Sequence, residues 1–146
     1  MNQKDFEKFN KIYRLPINKK PTLLPIERLK NFKDIITDEI SEVSLIIAGQ
    51  KEAKTDSQKL DVLVAIADWY ADIIWYVRSE AVKYGLNMED VLDLIKESNF
   101  SKLDEDGNAI YDSRGKVCRG KNYIAPEIKI KKYLKQKSLN TSSYSI

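Results

Sequence analysis

Apolar residues recur with helical spacing along most of this chain, and the pattern changes only beyond Phe100. A short helix is expected over Asp5–Tyr13, ended by LPINKKP, where Pro16 and Pro21 block continuation. A long helix should follow from about Leu24 to Ala48, with Gly49 as its stop. After the polar loop QKEAKTDSQ, a second long helix is expected from about Ser57 to Tyr84. Lys83 stands in its last turn and Gly85 closes it. Asn87 then caps a shorter helix, NMEDVLDLIKESN. Turn signals at DEDGN and DSRG separate short strand-like pieces, which read as a small hairpin or ordered loop. A last basic helix is expected from about Pro126 to Lys137, before a polar tail, SLNTSSYSI, expected to fray. The fold class expected is an all-α antiparallel helical bundle with an irregular or hairpin segment near the C-terminus. One domain is expected over residues 1–146, with an N-terminal arm (1–22) and a basic C-terminal appendage (101–146).

Two of these helices break the usual pattern by carrying acids among apolar neighbours. Asp38, Glu39 and Glu42 fall in FKDIITDEISEVSLIIAG, and Asp68 and Asp72 fall in LDVLVAIADWYADIIWYV. At about 100° per residue, Asp68 and Asp72 share one face, as do Asp38 and Glu42, with Glu39 on the same side. Ionised carboxylates on a packing face are costly unless paired or bound to a cation. If the helices pack antiparallel, the two acidic stripes meet, and Mg²⁺ or Mn²⁺ held by oxygen relieves the repulsion. Such an ion polarises phosphoryl oxygens and acidifies bound water. The second helix is otherwise apolar nearly all round, from Val62 to Val77. A helix of that kind needs neighbours on every side, so at least a homodimer is expected.

Composition narrows the chemistry further. With no histidine, imidazole catalysis and His-ligated metal are removed, and the lone Cys118 excludes an internal disulfide and a cysteine zinc cage. Acid–base and metal work must fall to carboxylates, Lys or Tyr. The start, MNQKDFEKFN, shows no apolar run after its charges, so a cytoplasmic protein is expected. Leu60–Val77 is apolar enough to raise a membrane helix, but Asp61, Asp68 and Asp72 would each cost roughly 2.5–3.5 kcal/mol near a bilayer centre. Charge is unevenly placed: +6 over residues 1–33, −10 over 34–106 and +7 over 107–146. The basic ends are either ordinary solvated faces or cations that hold a polyanion beside a metal site.

DEISEV, ADWYADIIWYV and YGLNMEDVLDLIKESNFSKLDEDG, in that order, resemble the all-α nucleoside triphosphate pyrophosphohydrolases. This is the MazG-like superfamily that includes phosphoribosyl-ATP pyrophosphohydrolase. The resemblance runs from about Ile26 to Tyr123. Its EExxE motif is matched by Asp38, Glu39 and Glu42. Its ExxD motif is altered: Trp69 stands where the Glu usually is, and Asp68 lies one residue earlier, giving DxxxD with Asp72. SNxSK is matched by Ser98, Asn99, Ser101 and Lys102.

The resemblance implies antiparallel helices assembled as a homodimer or homotetramer, Mg²⁺ on the acidic motifs, and cleavage of a nucleoside triphosphate to monophosphate and pyrophosphate. It implies Glu39, Glu42, Asp68 and Asp72 as metal ligands, with Asp38 and Glu39 as catalytic carboxylates. Asn99 and Lys102 become substrate-binding candidates, joined by Lys116, Arg119 and Lys121, a basic run able to close over phosphates. Arg28 receives no role. Two other readings stand beside this one. The first is a nucleic-acid-binding module using IKIKKYLKQK, disfavoured by the scarcity of interleaved aromatics. The second is a helical scaffold without catalysis.

Overall fold

A computed structural model describes residues 1–139; residues 140–146, which hold most of the tail expected to fray, lie outside the described residues. Among the described residues six helices follow in order: α1 (Gln3–Ile12), α2 (Ile26–Ser41), α3 (Val43–Glu52), α4 (Asp56–Lys83), α5 (Met88–Phe100) and α6 (Pro126–Leu139). No named strand occurs among the described residues. The segment between α5 and α6 holds one antiparallel bridge, Tyr111 to Val117, closed by Asp112 N–H to the Lys116 carbonyl and Cys118 N–H to the Ile110 carbonyl. The all-α class and the small hairpin are as expected.

α4 is the axis of the molecule, with α1, α2 and α3 packed against it and α5 paired with α6. Its start is fixed by a reciprocal capping box, in which the Thr55 side chain accepts from Gln58 N–H and Gln58 returns to the Thr55 N–H. Its end is a Schellman turn: Gly85 at φ 67° donates to the Val82 carbonyl and Leu86 donates to Ala81. The remaining end carbonyls are taken up by the Pro-rich connection. Asn18 N–H meets Val82, the Asn18 side-chain amide meets Lys83, and Thr22 N–H meets Tyr84. A Cβ on Gly85 would lie 2.0 Å from the Lys20 carbonyl oxygen, on top of an unfavourable φ. Gly85→Ala is therefore expected to lower unfolding free energy in urea by at least about 2 kcal/mol; an unchanged midpoint would contradict this junction.

The segment read as an arm supplies the best-buried core. Phe6 and Val82 are fully buried, and Phe6 and Phe9 pack their rings on Trp75 at 4.9 and 5.1 Å. Asn10, also fully buried, donates to the Ser79 and Pro16 carbonyls and accepts from the Ser79 hydroxyl. Nearby, Glu80 is buried between Arg28 (2.6 and 2.8 Å) and Lys83 (2.8 Å). α6 is held on α5 by Tyr133, whose hydroxyl donates to Asp90 at 2.6 Å, and by the Lys129–Glu97 pair. Burial, then the hydrogen bond to Asp90, pushes the Tyr133 hydroxyl above its usual range.

One expected helix is two. The Leu24–Ala48 stretch breaks at Glu42 into α2 and α3, and Gly49 lies inside α3, which runs on to Glu52. The cause is local. Ser41 Oγ donates to the Asp38 carbonyl at 2.6 Å, the acceptor that an unbroken helix offers to Glu42 N–H. Glu42 N–H turns to the Glu39 carbonyl at 3.3 Å instead. Gly49 has no positive φ, and a Cβ there would meet only the Val62 side chain at 3.9 Å, an ordinary contact, so nothing there ends the helix.

Candidate metal and nucleotide site

The break between α2 and α3 falls at the first acidic motif, opposite the acidic stripe of α4. Glu39, Glu42, Asp68 and Asp72 line one cavity of about 210 Å³ together with Leu45, Ile46, Ala65 and Trp69. Glu39 is buried; Glu42, Asp68 and Asp72 are exposed at the cavity's rim. Burial first, then the charges of Glu42, Asp72 and Asp68 in that order, hold the Glu39 carboxyl above its ordinary value. The four acids thus act on one another electrostatically, although among the described residues no three acids stand close enough to form a finished metal cage.

As a donor set, four carboxylates without nitrogen or sulfur suit a hard cation such as Mg²⁺ or Mn²⁺. In donor type and charge the residues present fit that group. Asp38 lies outside the cavity lining and is exposed on α2, where its carbonyl receives the Ser41 hydroxyl.

Trp69, read from the sequence only as a departure from the ExxD motif, holds the site's backbone in place. Its indole N–H donates to the Glu39 carbonyl at 2.8 Å, tying α4 to α2 at the break and fixing the backbone of the buried acid of this cavity. Trp69→Phe keeps an aromatic ring, smaller than the indole, and removes this bond. The expected result is a loss of at least about 1 kcal/mol in stability. Unchanged stability would show that the bond holds nothing in place.

The five substrate-binding candidates lie in a second group. Lys102 Nζ donates to Asn99 Oδ1 at 2.7 Å, Lys121 pairs with Glu105 at 3.2 Å, and the Arg119 guanidinium stacks on Tyr123. Lys116 closes the DSRG turn through its N–H to Asp112 Oδ1. Backbone hydrogen bonds from Lys116 and Arg114 hold the Asp112 carboxyl below its usual range. This loop is pinned to α5: Ser98 Oγ donates to the Ile124 carbonyl, and Gly120 lies so close to the Leu103 carbonyl that a Cβ would meet it at 2.1 Å. None of the five lines the acidic cavity. The structure brings the four acids together and the basic loop together, as separate groups within one chain.

No family model and no curated protein matches this sequence. Among solved structures, it is similar to the crystal structure of "a putative NTP pyrophosphohydrolase from Exiguobacterium sp. 255-15". The identity is 16%, covering 97% of this chain and 98% of that one, with a TM-score of 0.51. At that identity the likeness is one of fold. The chain shares the all-α fold of that structure over nearly its whole length. Among the described residues, no helix is long and apolar enough to cross a membrane.

Proposed function

We propose that this protein is a metal-dependent nucleoside triphosphate pyrophosphohydrolase that cleaves the α–β phosphoanhydride of an NTP or dNTP to monophosphate and pyrophosphate, a reaction suited to nucleotide-pool cleanup. The observation that carries the reading is the single cavity shared by Glu39, Glu42, Asp68 and Asp72 across the α2–α3 break and α4. Glu39, Glu42 and Asp72 would hold Mg²⁺, with Asp68 beside them. Bound there, the ion supplies charge for the phosphate oxygens and an acidified water.

Glu39, buried in the cavity that would hold the ion, is better placed than exposed Asp38 to act on a bound water. Asp38, outside the lining, is the weaker candidate. Asn99, Lys102, Lys116, Arg119 and Lys121 supply donors and positive charge for the substrate. Because they do not line the acidic cavity of their own chain, they serve it best from a neighbouring copy.

A homo-oligomer is part of the same proposal. Leu60, Leu63, Ala67, Tyr70, Ile74 and Val77 alternate three and four apart along α4, on the side opposite Asp68 and Asp72, and all are exposed. An apolar stripe of that length on one helix suits a second copy.

The test is incubation with each NTP and dNTP, with Mg²⁺ and with chelator, and identification of the products. Monophosphate and pyrophosphate formed only with metal support the reading. Orthophosphate release, or no product from any nucleotide, would remove it.

A further inference from the structure

Beyond the acids, the α2–α4 groove continues. On α2, Arg28, Phe32, Ile35 and Glu39 follow at spacings of four, three and four, so they share one face, and Glu42 follows at the break three residues on. On α4, Asp68, Asp72, Tyr76, Ser79 and Lys83 do the same. The acidic cavity occupies one end of this groove. A second cavity of about 370 Å³ occupies the next stretch, walled by Phe9 of α1, Tyr13 just beyond it, Phe32 of α2, and Trp75 and Tyr76 of α4. Arg28, Glu80 and Lys83 border it as well. The pyrophosphohydrolase reading assigns this second cavity no work.

Its chemistry is specific. Glu80 and Lys83 are each buried to more than nine-tenths, and Arg28 is three-quarters buried as a side chain. Two cations share one carboxylate, which leaves the cluster one positive charge in excess. Arg28 spends Nε and Nη2 on Glu80, and Lys83 makes one bond to it, so both keep N–H groups that Glu80 does not take. Buried donors of this kind call for acceptors, and the aromatic walls call for a flat apolar body.

We propose that this cavity takes the nucleobase of the substrate and that Arg28 and Lys83 select bases with a carbonyl oxygen at pyrimidine C4 or purine C6, namely uracil, thymine, guanine or hypoxanthine, over cytosine and adenine, which carry an amino group there. The inference rests on the pyrophosphohydrolase reading for its substrate, and on the continuity of the groove for its place. A carbonyl accepts from the surplus donors, whereas an exocyclic amino group turns its own N–H toward them and leaves both sides unpaired. Triphosphates with the C4 or C6 carbonyl should therefore exceed CTP and ATP in kcat/KM by about a hundredfold.

Free nucleosides without metal isolate this cavity from the phosphate chemistry. Uridine and inosine, titrated while the Trp75 indole N–H is followed by NMR, should bind at least about tenfold more tightly than cytidine and adenosine. Lys83→Met should erase that preference. Ile35→Trp, at an exposed position on the cavity wall, should block every nucleoside while leaving the ion cluster intact; it carries the test where Lys83→Met fails to fold. Equal affinity for all nucleosides, no binding, or a preference that survives in folded Lys83→Met would overturn the proposal. Selective nucleoside binding without hydrolysis of any triphosphate would sink the pyrophosphohydrolase reading and leave this pocket standing. Hydrolysis indifferent to the base would do the reverse.

Discussion

Asp72→Asn or Glu39→Gln is expected to reduce turnover by about a thousandfold while the fold is kept. Asp72 offers one of the oxygens that line the shared cavity, and an amide there neither balances a divalent charge nor repels its neighbours. Glu39→Gln has a second, opposite signature in stability. The folded protein holds the Glu39 proton more tightly than the unfolded chain does, chiefly through burial and then through Glu42, Asp72 and Asp68. Folding therefore favours the protonated form. That contribution is complete below the ordinary carboxylate value near 4.5 and is lost as pH rises through the raised one. At neutral pH the ionised group opposes folding. Without metal, Glu39→Gln should melt higher than wild type at pH 7, and the gain should shrink in acid. A variant that is both inactive and less stable at pH 7 would make Glu39 a structural residue.

The second large effect is expected on the far side of α4. Leu63 and Ile74 are 61% and 52% exposed within one chain, on a stripe that no described element of that chain covers. Burying such a side chain fully contributes about 1.5–3 kcal/mol, and a buried unpaired charge opposes association by more. The double substitution Leu63→Glu and Ile74→Glu should convert the oligomer to monomer in light scattering. Turnover should fall with it, since the basic loop then has no neighbouring acidic cavity to reach. A wild-type chain that is already monomeric, or a variant of unchanged mass, would contradict the second-copy assignment.

The elements that were legible in the sequence are those with local causes. Gly85 ends α4 because only a residue without Cβ tolerates both φ 67° and the Lys20 carbonyl beside it, and the turns at DEDGN and DSRG follow from aspartates that accept their own loop's N–H groups. The acidic cavity was legible for a related reason: spacing alone puts Asp68 and Asp72 on one face. What stayed hidden depends on competition or on distant partners. Gly49 looked like a stop, yet a glycine in a helix costs only about 1 kcal/mol against alanine and ends nothing unless the backbone turns there. The break at Glu42 comes from one hydroxyl outcompeting one N–H for the Asp38 carbonyl. Trp69 looked like a departure from a motif, because its bond to a backbone oxygen on another helix leaves no trace in spacing. Arg28 was passed over although it shares the spacing of Glu39 and Glu42; its meaning appears only once Glu80 and Lys83 are beside it.

Binding of Mn²⁺, read by electron paramagnetic resonance as loss of the free-ion signal, tests most directly whether the acids of α2 and α4 act as one cation site. Wild-type protein should take up the ion, and Asp72→Asn and Glu42→Gln, one from each side of the cavity, should each weaken uptake by at least about tenfold. Uptake unchanged in both variants, or absent from the wild type even with nucleotide present, would contradict the account.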